Sequence, residues 1–366
     1  MRQNLAEFAI YLWGTPKVAD PEERAAALAA AGFTVVDWEA EGLAALSPHG
    51  LKGMVHHPTA AVARRLASHP DLWGYHCGDE PYPEAQFAPL AEQFRQLREA
   101  DPGHPAFLNM LSTAGPFLRR YMRATRPDIL SYDYYQWWWG SDRYFEKLEQ
   151  FREAAVLAGV PLGSCLEANA DPYDGHGTPP PDNAVKLRQS VYTNLAYGVT
   201  LIGWFSSNLV FQGQSGELTP SGRDVAALNA ELRRLGPFLA PLQSVDVFHT
   251  GPLPKGTREA PTEYWVHLRG DGAGLVQGMF EDADGVDYLL VANRDYRASQ
   301  SVAVRLQSKW LGIAPWHEPR QYSYAVQRLD RRTGAWVEVK SSSFVGFTCV
   351  VAAGDGELFR IETRVE

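Results

Sequence analysis

The sequence has little cysteine: three residues in 366, at Cys77, Cys165 and Cys349. Three thiols cannot form the disulfide framework of a small secreted domain, and no two of them have the close spacing of a structural zinc site or a redox motif. We therefore predict that all three are reduced and buried.

Positive charge and long apolar runs are also scarce. Lys and Arg number 34 against 43 Asp and Glu, which gives a net charge of −9, and no basic run interrupts the chain. A phosphate backbone would find little counter-charge, so we predict no nucleic-acid partner. No segment is apolar over the length that a bilayer requires, and the first seven residues lack the apolar stretch of a signal peptide. We expect no membrane partner and a cytoplasmic protein as sequenced, or a secreted one if a leader was removed.

What the sequence does contain is an alternation of strand-like and helix-like segments. Apolar residues make up 45% of the chain, an ordinary globular balance, and 366 residues exceed what a single core holds, so we predict two domains. Up to residue 207 the chain has eight strand-like segments, most of them separated by helical patterns. They are residues 8–14, 34–38, 51–57, 72–80, 106–111, 128–135, 161–168 and 199–207.

Eight such units are the number that closes a parallel sheet into a (β/α)8 barrel, and residues 1–240 match the usual length of one. An open doubly wound sheet is the alternative, but the sequence has neither its GxGxxG turn nor a phosphate-binding loop. From residue 241 the apolar segments are short, alternating and joined by turns such as DGAG and DADG. We predict an α/β protein whose barrel is followed by a small antiparallel β-sandwich over residues 241–366.

Active sites of barrels lie at the carboxyl ends of the strands, so the polar residues there are the first candidates. Two carboxylates end strands that lie across the barrel from each other: Glu80 in the run GDEP after strand 4, and Glu167 in CLEA after strand 7. Such a pair can divide acid and nucleophile duties, because their environments can raise one pKa and leave the other group ionised. Each also has a structural interpretation, Glu80 as a helix-start carboxylate and Glu167 as a solvated loop residue.

At these motifs the chain resembles the clan A glycoside hydrolases. The resemblance covers residues 8 to about 240 and is carried by HPDLWGYHCGDEP, SYDYY, CLEA and the aromatic strand LIGWFSS. It implies a β-galactosidase-like glycosidase that uses Glu80 as acid/base and Glu167 as nucleophile, with retention and without a cofactor or metal. The chain departs from the family at Asp79, where Asn is usual. That charge would raise the pKa of Glu80, and it leaves open that Asp79 is the acid.

Further strand-end residues are candidates for binding a sugar. Trp204 ends strand 8, where its ring would form the floor of a subsite or plug the barrel, and one of the three tryptophans that begin at Trp137 should be exposed at the rim. Asp133 is a partner of Glu80 or of substrate, or a plain strand-end residue. The full set of substrate-binding candidates is Asp79, Asp133, Trp204, Asn109, Trp38, His56, Tyr135 and Trp137.

Two other functions fit the same residues. A metal-dependent hydrolase or sugar isomerase would use strand-end ligands, namely His56, His76, Glu80, Asp133 and Glu167. A non-catalytic barrel would bind sugar through the same aromatic residues. Within the glycosidase hypothesis, transglycosylation stays open, and the long loops after strands 6 and 7 favour a pocket and exo action. The tryptophans of the last 125 residues, Trp265, Trp310, Trp316 and Trp336, are scattered, so we expect a structural role for that domain.

Overall fold

The computed structural model describes residues 7–113, 115–171, 179–307, 322–340 and 346–365. The chain divides into two compact units. One combines Met1–Leu187 with Val199–Ala240, and the other combines Arg188–Gly198 with Pro241–Glu366. Trp310 and Trp316 lie outside the described residues.

The N-terminal unit contains a closed barrel of eight parallel strands, which confirms the predicted fold. Each strand pairs with the next one along the chain, and the first also pairs with the eighth. The strands are β1 (Ala9–Leu12), β2 (Val35–Asp37), β3 (Lys52–His56), β4 (Leu72–Asp79), β5 (Ala106–Leu111), β6 (Leu130–Asp133), β7 (Leu162–Glu167) and β8 (Val199–Phe205).

Helices occupy the connections between strands, with two local differences from the predicted pattern. A 3-10 helix, Leu43–His49, joins β2 to β3, and a second one, Glu84–Gln86, precedes the helix after β4. The α-helices are α1 (Pro21–Ala30), α2 (Ala60–Leu66), α3 (Phe87–Ala100), α4 (Gly115–Thr125), α5 (Gln136–Trp139), α6 (Tyr144–Ala158), α7 (Asn183–Ala196), α8 (Ser207–Val210) and α9 (Pro220–Leu239). Local sequence sets their starts: Asp20 accepts hydrogen bonds from the amides of Glu22 and Glu23 at the start of α1.

Side chains alternate between the inside of the barrel and its outer face. One layer of the interior is an apolar cluster formed by Ala9, Tyr11, Val35, Met54, Trp73, Phe107, Ile129 and Leu201. Moving along β6 from Ile129 in steps of two residues gives Ser131 and Asp133, so these side chains share the inner face. The same alternation on β7 places Cys165 and Glu167 inward. The barrel mouth is therefore polar where strands end on inward polar residues, as β2, β3, β6 and β7 do.

The C-terminal unit contains two antiparallel sheets around one apolar core, as the sandwich prediction required. The sheets run in the orders β10-β13-β16 and β15-β14-β17-β12-β11-β9. The strands are β9 (Gln243–His249), β10 (Val266–Gly270), β11 (Leu275–Glu281), β12 (Asp287–Asn293), β13 (Gln300–Leu306), β14 (Tyr322–Asp330), β15 (Ala335–Val339), β16 (Phe347–Val351) and β17 (Gly356–Val365). β9 was not predicted from the sequence.

The three cysteines carry free thiols, with Cys77 and Cys165 buried and Cys349 half-buried. Across the described part of the chain, no helix combines the length and the apolarity that crossing a membrane would take.

Candidate functional site

The end of β4 carries two adjacent carboxylates, Asp79 and Glu80. The pairing of β4 with β5 shifts register between His76 and Asp79, and Glu80 adopts a positive φ of 44°. The amide of Glu80 donates to the carbonyl of Asn109 at 2.8 Å, and the Asn109 side-chain amide donates to Asp79 Oδ1 at 3.3 Å. Ser131 Oγ donates to Asn109 Oδ1 at 3.1 Å. Asn109, a predicted binding residue, therefore holds the carboxylate of Asp79 and the backbone of Glu80 in place.

Glu80 and Asp133 carry carboxyl groups that affect each other's pKa. Partial burial raises the pKa of Glu80, the nearby charge of Asp79 raises it further, and the hydrogen bond from Asp133 opposes both effects. Asp133 is only 5% exposed, and burial together with Glu80 and Asp79 raises its pKa to about 7. Each of the two carboxyl groups therefore holds its proton more strongly than a free carboxyl group does. From the sequence alone, Asp133 was either a partner of Glu80 or of substrate, or a plain strand-end residue.

Glu167 lies at the end of β7 and is fully buried. Its Oε1 accepts a hydrogen bond from the amide of Trp137 at 2.9 Å, whereas its Oε2 has no partner among the residues that the structure describes. Burial raises the pKa of Glu167 to about 8, against the lowering effect of that hydrogen bond. In this conformation the carboxyl group is therefore protonated at neutral pH and closed to solvent.

The aromatic segment after β6 covers this carboxyl group. α5 is Gln136–Trp139, and the indole of Trp137 donates to the carbonyl of Lys186 at 3.3 Å. The indole of Trp138 donates to the carbonyl of Asn169 at 2.7 Å, while Trp139 is 49% exposed. One of the three rings thus lies at the rim, as expected. Tyr135 is buried with its ring stacked on that of Phe205, at 5.3 Å between centroids.

A second polar cluster lies at the ends of β1, β2 and β3. Asp37 Oδ1 accepts from the hydroxyl of Tyr11 at 2.5 Å and also bonds His56 Nε2. Asp37 Oδ2 accepts from the amide of Gly14 at 2.7 Å. Both oxygens of this carboxylate are thus engaged, and the bond to Asp37 requires His56 to carry its hydrogen on Nε2.

Aromatic rings pack beside this cluster. The rings of His56 and His76 lie 4.4 Å apart, and Trp13 meets His76 edge-to-face at 5.0 Å. His76 is 1% exposed, neither of its ring nitrogens has a partner, and burial lowers its pKa well below the usual value. Trp13 is half-buried. The mouth on this side is walled by rings and contains a buried neutral histidine.

Two predicted binding residues have rings that pack against the protein itself. Trp204 is fully buried, and its indole donates to Asn229 of α9 at 2.8 Å. Trp204 faces outward from β8 because Leu201 and Gly203 take the inward positions, so a stacking platform at Trp204 is wrong. Trp38 is 5% exposed, its indole donates to the carbonyl of Gly42 at 2.9 Å, and Arg24 lies over its ring. Its ring is likewise occupied by the protein.

The metal-ligand hypothesis finds no assembled site in the described residues. No three His, Cys, Asp or Glu side chains among them are grouped so that they could hold a metal ion. Instead, His56 is bonded to Asp37.

Sequence reasoning missed Tyr11 and Trp13, and it named Asp37 as a strand end without giving it a role. A usable signal was the alternation along β1, in which residues 9, 11 and 13 share one face and the last two carry rings. The donors to Asp37 come from a backbone amide and from a neighbouring strand, which no local pattern reveals.

No family model and no curated protein sequence match the chain. Solved structures do match it. A GH27 β-L-arabinopyranosidase from Geobacillus stearothermophilus aligns over 99% of this chain and 97% of its own, with 11% identity and a TM-score of 0.53. A variant of that enzyme in complex with arabinose aligns over 99% of this chain and 98% of its own, with 10% identity and a TM-score of 0.52.

A β-galactosidase from the psychrophilic Marinomonas ef1 aligns with 62% of this chain at 11% identity and a TM-score of 0.46. The chain spans 60% of that protein's length. This chain thus shares its fold with the two GH27 structures over almost its whole length, and the resemblance inferred from the sequence is confirmed at the level of the fold.

Proposed function

We propose that the protein is a retaining, exo-acting glycoside hydrolase, with Glu80 as acid/base and Glu167 as nucleophile. The observation that carries the proposal is the electrostatics of Glu80. Burial and the charge of Asp79 both raise its pKa, which favours the protonated form that an acid catalyst needs. The neighbouring GH27 structures add support, since their barrel and β-sheet fold extends over the whole chain.

In the first step, Glu80 donates its proton to the glycosidic oxygen as the bond to the leaving group breaks. Oε2 of ionised Glu167 attacks the anomeric carbon and forms a glycosyl ester. In the second step, Glu80 takes a proton from water, whose oxygen attacks the anomeric carbon. The sugar leaves with retention of configuration, and Glu167 regains its carboxylate.

The burial of Glu167 sets a condition on this mechanism. The amide of Trp137 holds Oε1 and leaves Oε2 as the attacking atom, but α5 covers it. Substrate therefore has to gain access to Oε2 while the bond from Trp137 is kept, and the exposure that this requires lowers the pKa of the carboxyl group towards the ionised form.

The same burial favours a second candidate function, a sugar-binding barrel without catalysis. In that case Glu167 is a structural group that ties β7 to α5. Sugar binding would then persist after replacement of both glutamates.

The test is hydrolysis of a panel of aryl α- and β-glycosides, including galactosides and arabinopyranosides, with and without EDTA. We expect turnover of one glycoside that EDTA does not affect, with loss in Glu80→Gln and Glu167→Gln. Glu84→Gln is the matched control, because Glu84 is an exposed carboxylate paired with Arg120. Azide added to Glu167→Ala should give a glycosyl azide of inverted configuration.

Turnover that both glutamate variants keep would remove these assignments. If no glycoside is cleaved but sugar still binds, the non-catalytic function replaces the proposal. Activity that EDTA abolishes would instead favour the metal-dependent hypothesis.

A further inference from the structure

The C-terminal unit contains a pocket that the proposed mechanism does not use. It has a volume of about 310 Å³, at the lower end of the range of small-molecule sites. It lies where β9 and β11 of one sheet approach β10 of the other, and its walls include His249, Thr250, Leu268, Gly270 and Gln277. We call it the sandwich pocket.

We propose that the sandwich pocket is a second ligand site, which binds a small uncharged molecule rich in hydroxyl groups, either a monosaccharide or a sugar alcohol. All of its lining residues belong to the C-terminal unit. The proposal therefore stands whether or not the barrel cleaves a glycoside.

The first argument is a buried amide oxygen beside the pocket. Gln300 is 1% exposed, and its Nε2 donates to the carbonyl of Gly274 at 3.0 Å and to Oδ1 of Asn293 at 2.5 Å. These two bonds fix the orientation of the amide, and Oε1 is left buried without a partner in the described chain. A Cβ atom would lie 2.6 Å from this oxygen on Gly270 and 2.9 Å from it on Gly272. Because both glycines line the pocket, the oxygen lies against the pocket wall.

The second argument is another glutamine of the same kind. Gln277 lines the pocket and is 1% exposed. Its Nε2 donates to the carbonyl of Val266 at 3.1 Å, which leaves its Oε1 as an acceptor. It alternates along β11 with Leu275 and Met279, which belong to the apolar core between the sheets. Buried polar atoms are nearly always hydrogen-bonded to protein, water or ligand, so the two glutamine oxygens indicate a place where a donor binds.

The third argument concerns which donor fits. Nη2 of Arg294 donates to the carbonyl of Thr250 at 2.6 Å, so a guanidinium charge lies beside the pocket. Burial, together with that charge, lowers the pKa of His249 to about 3, so this lining histidine is neutral. The guanidinium groups of Arg294 and Arg269 outnumber the carboxylate of Glu259, which disfavours an ammonium group. A carboxylate would suit that charge but has no hydrogen to donate to the amide oxygens, whereas a hydroxyl group donates without a net charge.

The opening of the pocket suits the remaining hydroxyl groups of such a molecule. Glu259 and Arg269 are exposed lining residues, and they offer an acceptor and several donors. None of the described residues that line the pocket is Trp, Tyr or Phe. Recognition would therefore depend on hydrogen bonds and not on stacking against a ring.

The experiment combines calorimetric titration of the purified full chain with hydrogen exchange followed by mass spectrometry. The ligands are galactose and glucose, each with its sugar alcohol, its 2-amino analogue and its uronic acid. Titration measures affinity, and hydrogen exchange shows whether the bound molecule protects β10 and β11 or only strands of the barrel.

Two variants test the site, each checked for folding by thermal unfolding. Gln300→Met removes the amide oxygen, and Gln327→Met is its matched control, because Gln327 Oε1 accepts from Arg360 at 3.2 Å in another part of the same unit. Gln300→Met also breaks two hydrogen bonds and so lowers stability. Arg269→Ala keeps the test decisive if that variant does not fold, because Arg269 is exposed, and Arg305→Ala on the paired strand β13 is its control.

We expect a sugar or its alcohol to bind the wild type and to protect β10 and β11. The amino analogue and the uronic acid should bind about tenfold more weakly. Gln300→Met should weaken binding of the neutral compound about tenfold and Arg269→Ala about threefold, and the two control variants should leave it unchanged. Tighter binding of the sugar or of the alcohol identifies which of the two sources supplies the hydroxyl groups.

The inference is overturned if no neutral compound binds, which would leave water as the partner of the two glutamines. It is also overturned if protection is confined to the barrel, if a charged analogue binds as tightly as the neutral compound, or if the folded variants bind unchanged. Failure of the glycosidase proposal would look different, because no glycoside would be cleaved while protection of β10 and β11 remained.

Discussion

Two carboxylates at strand ends of the same barrel mouth differ in exposure and in the number of hydrogen-bond donors around them. Asp37 at the end of β2 is 14% exposed, and its two oxygens are engaged by Tyr11, Gly14 and His56. Glu167 at the end of β7 has no exposure, one bond from the amide of Trp137, and an Oε2 without a partner. Both are strand-end acids, yet only the first is surrounded by donors.

These environments suit Asp37 and Glu167 to different roles. A carboxylate with its oxygens saturated by hydrogen bonds is a fixed anchor, and Asp37 uses this to orient His56. A carboxylate deprived of donors keeps its electron pairs for a reacting atom but has a raised pKa. In the proposed mechanism, the mouth therefore separates a side that positions groups from a side that transfers protons and attacks the sugar.

The largest expected effect is a difference in kcat between variants of Glu167 and variants of Asp37. Glu167→Gln removes the attacking oxygen, so we expect kcat to fall about 10⁴-fold or more. Asp37→Asn removes charge-assisted hydrogen bonds worth about 1.5–3 kcal/mol, so kcat/KM should fall roughly tenfold to a hundredfold, mainly through KM. Steady-state kinetics on the glycoside identified by the panel measures both. Equal losses of kcat in the two variants would contradict the division.

A second effect should appear in the pH dependence of the free energy of unfolding. The folded-state pKa of Glu167 is about 8, above the usual 4.5. The stability that the protonated carboxyl contributes is therefore complete below pH 4.5 and is lost as the pH rises to about 8. Glu167→Gln carries no such proton, so its free energy of unfolding should rise relative to the wild type between pH 5 and 8, by at least about 1 kcal/mol. Urea unfolding at several pH values measures the gap.

Glu84→Gln is the control for that experiment, because its carboxylate is exposed. Its stability difference from the wild type should stay constant over the same pH range. A constant difference for Glu167→Gln as well would mean that its carboxyl group is solvated in solution and that α5 does not cover it.

The sequence was sufficient for the barrel, because the barrel follows from counting strands, and the candidate site at their carboxyl ends follows from that fold. It could not tell which face each residue takes in β8. Parallel strands are apolar on both faces, so VTLIGWF contains no alternation that would show whether Trp204 or its neighbours point inward. The wrong prediction that Trp204 stacks on a sugar follows from that ambiguity.

Contacts between strands could not be predicted from the sequence either. The environment of Asp37 depends on Tyr11 and Gly14, more than twenty residues away, and the cover on Glu167 depends on how α5 folds back. β9 escaped prediction because its first residues, Gln243–Val245, are polar or partly exposed and lack a buried alternation.

A smaller effect concerns the acid. The charge of Asp79 is the second cause, after burial, that raises the pKa of Glu80. Asp79→Asn removes this charge, so the pKa of Glu80 should fall and the alkaline limb of kcat/KM should move to lower pH by a fraction of a pH unit. The pH profile of the variant measures the shift, with Glu84→Gln as the unshifted control. An unmoved alkaline limb would show that Glu80 is not the group that donates the proton.

The smallest kinetic effect should come from Trp204. Trp204→Phe leaves the side chain of Asn229 without its indole donor, so we expect a loss of about 1–3 kcal/mol in the free energy of unfolding. KM should stay unchanged, because the ring lies between β8 and α9, away from the mouth. The matched change is Trp13→Phe, which alters a half-buried ring packed against His76. In that variant we expect KM to rise. A rise in KM for Trp204→Phe as large as that for Trp13→Phe would restore Trp204 as a sugar platform and overturn the orientation of β8 described above.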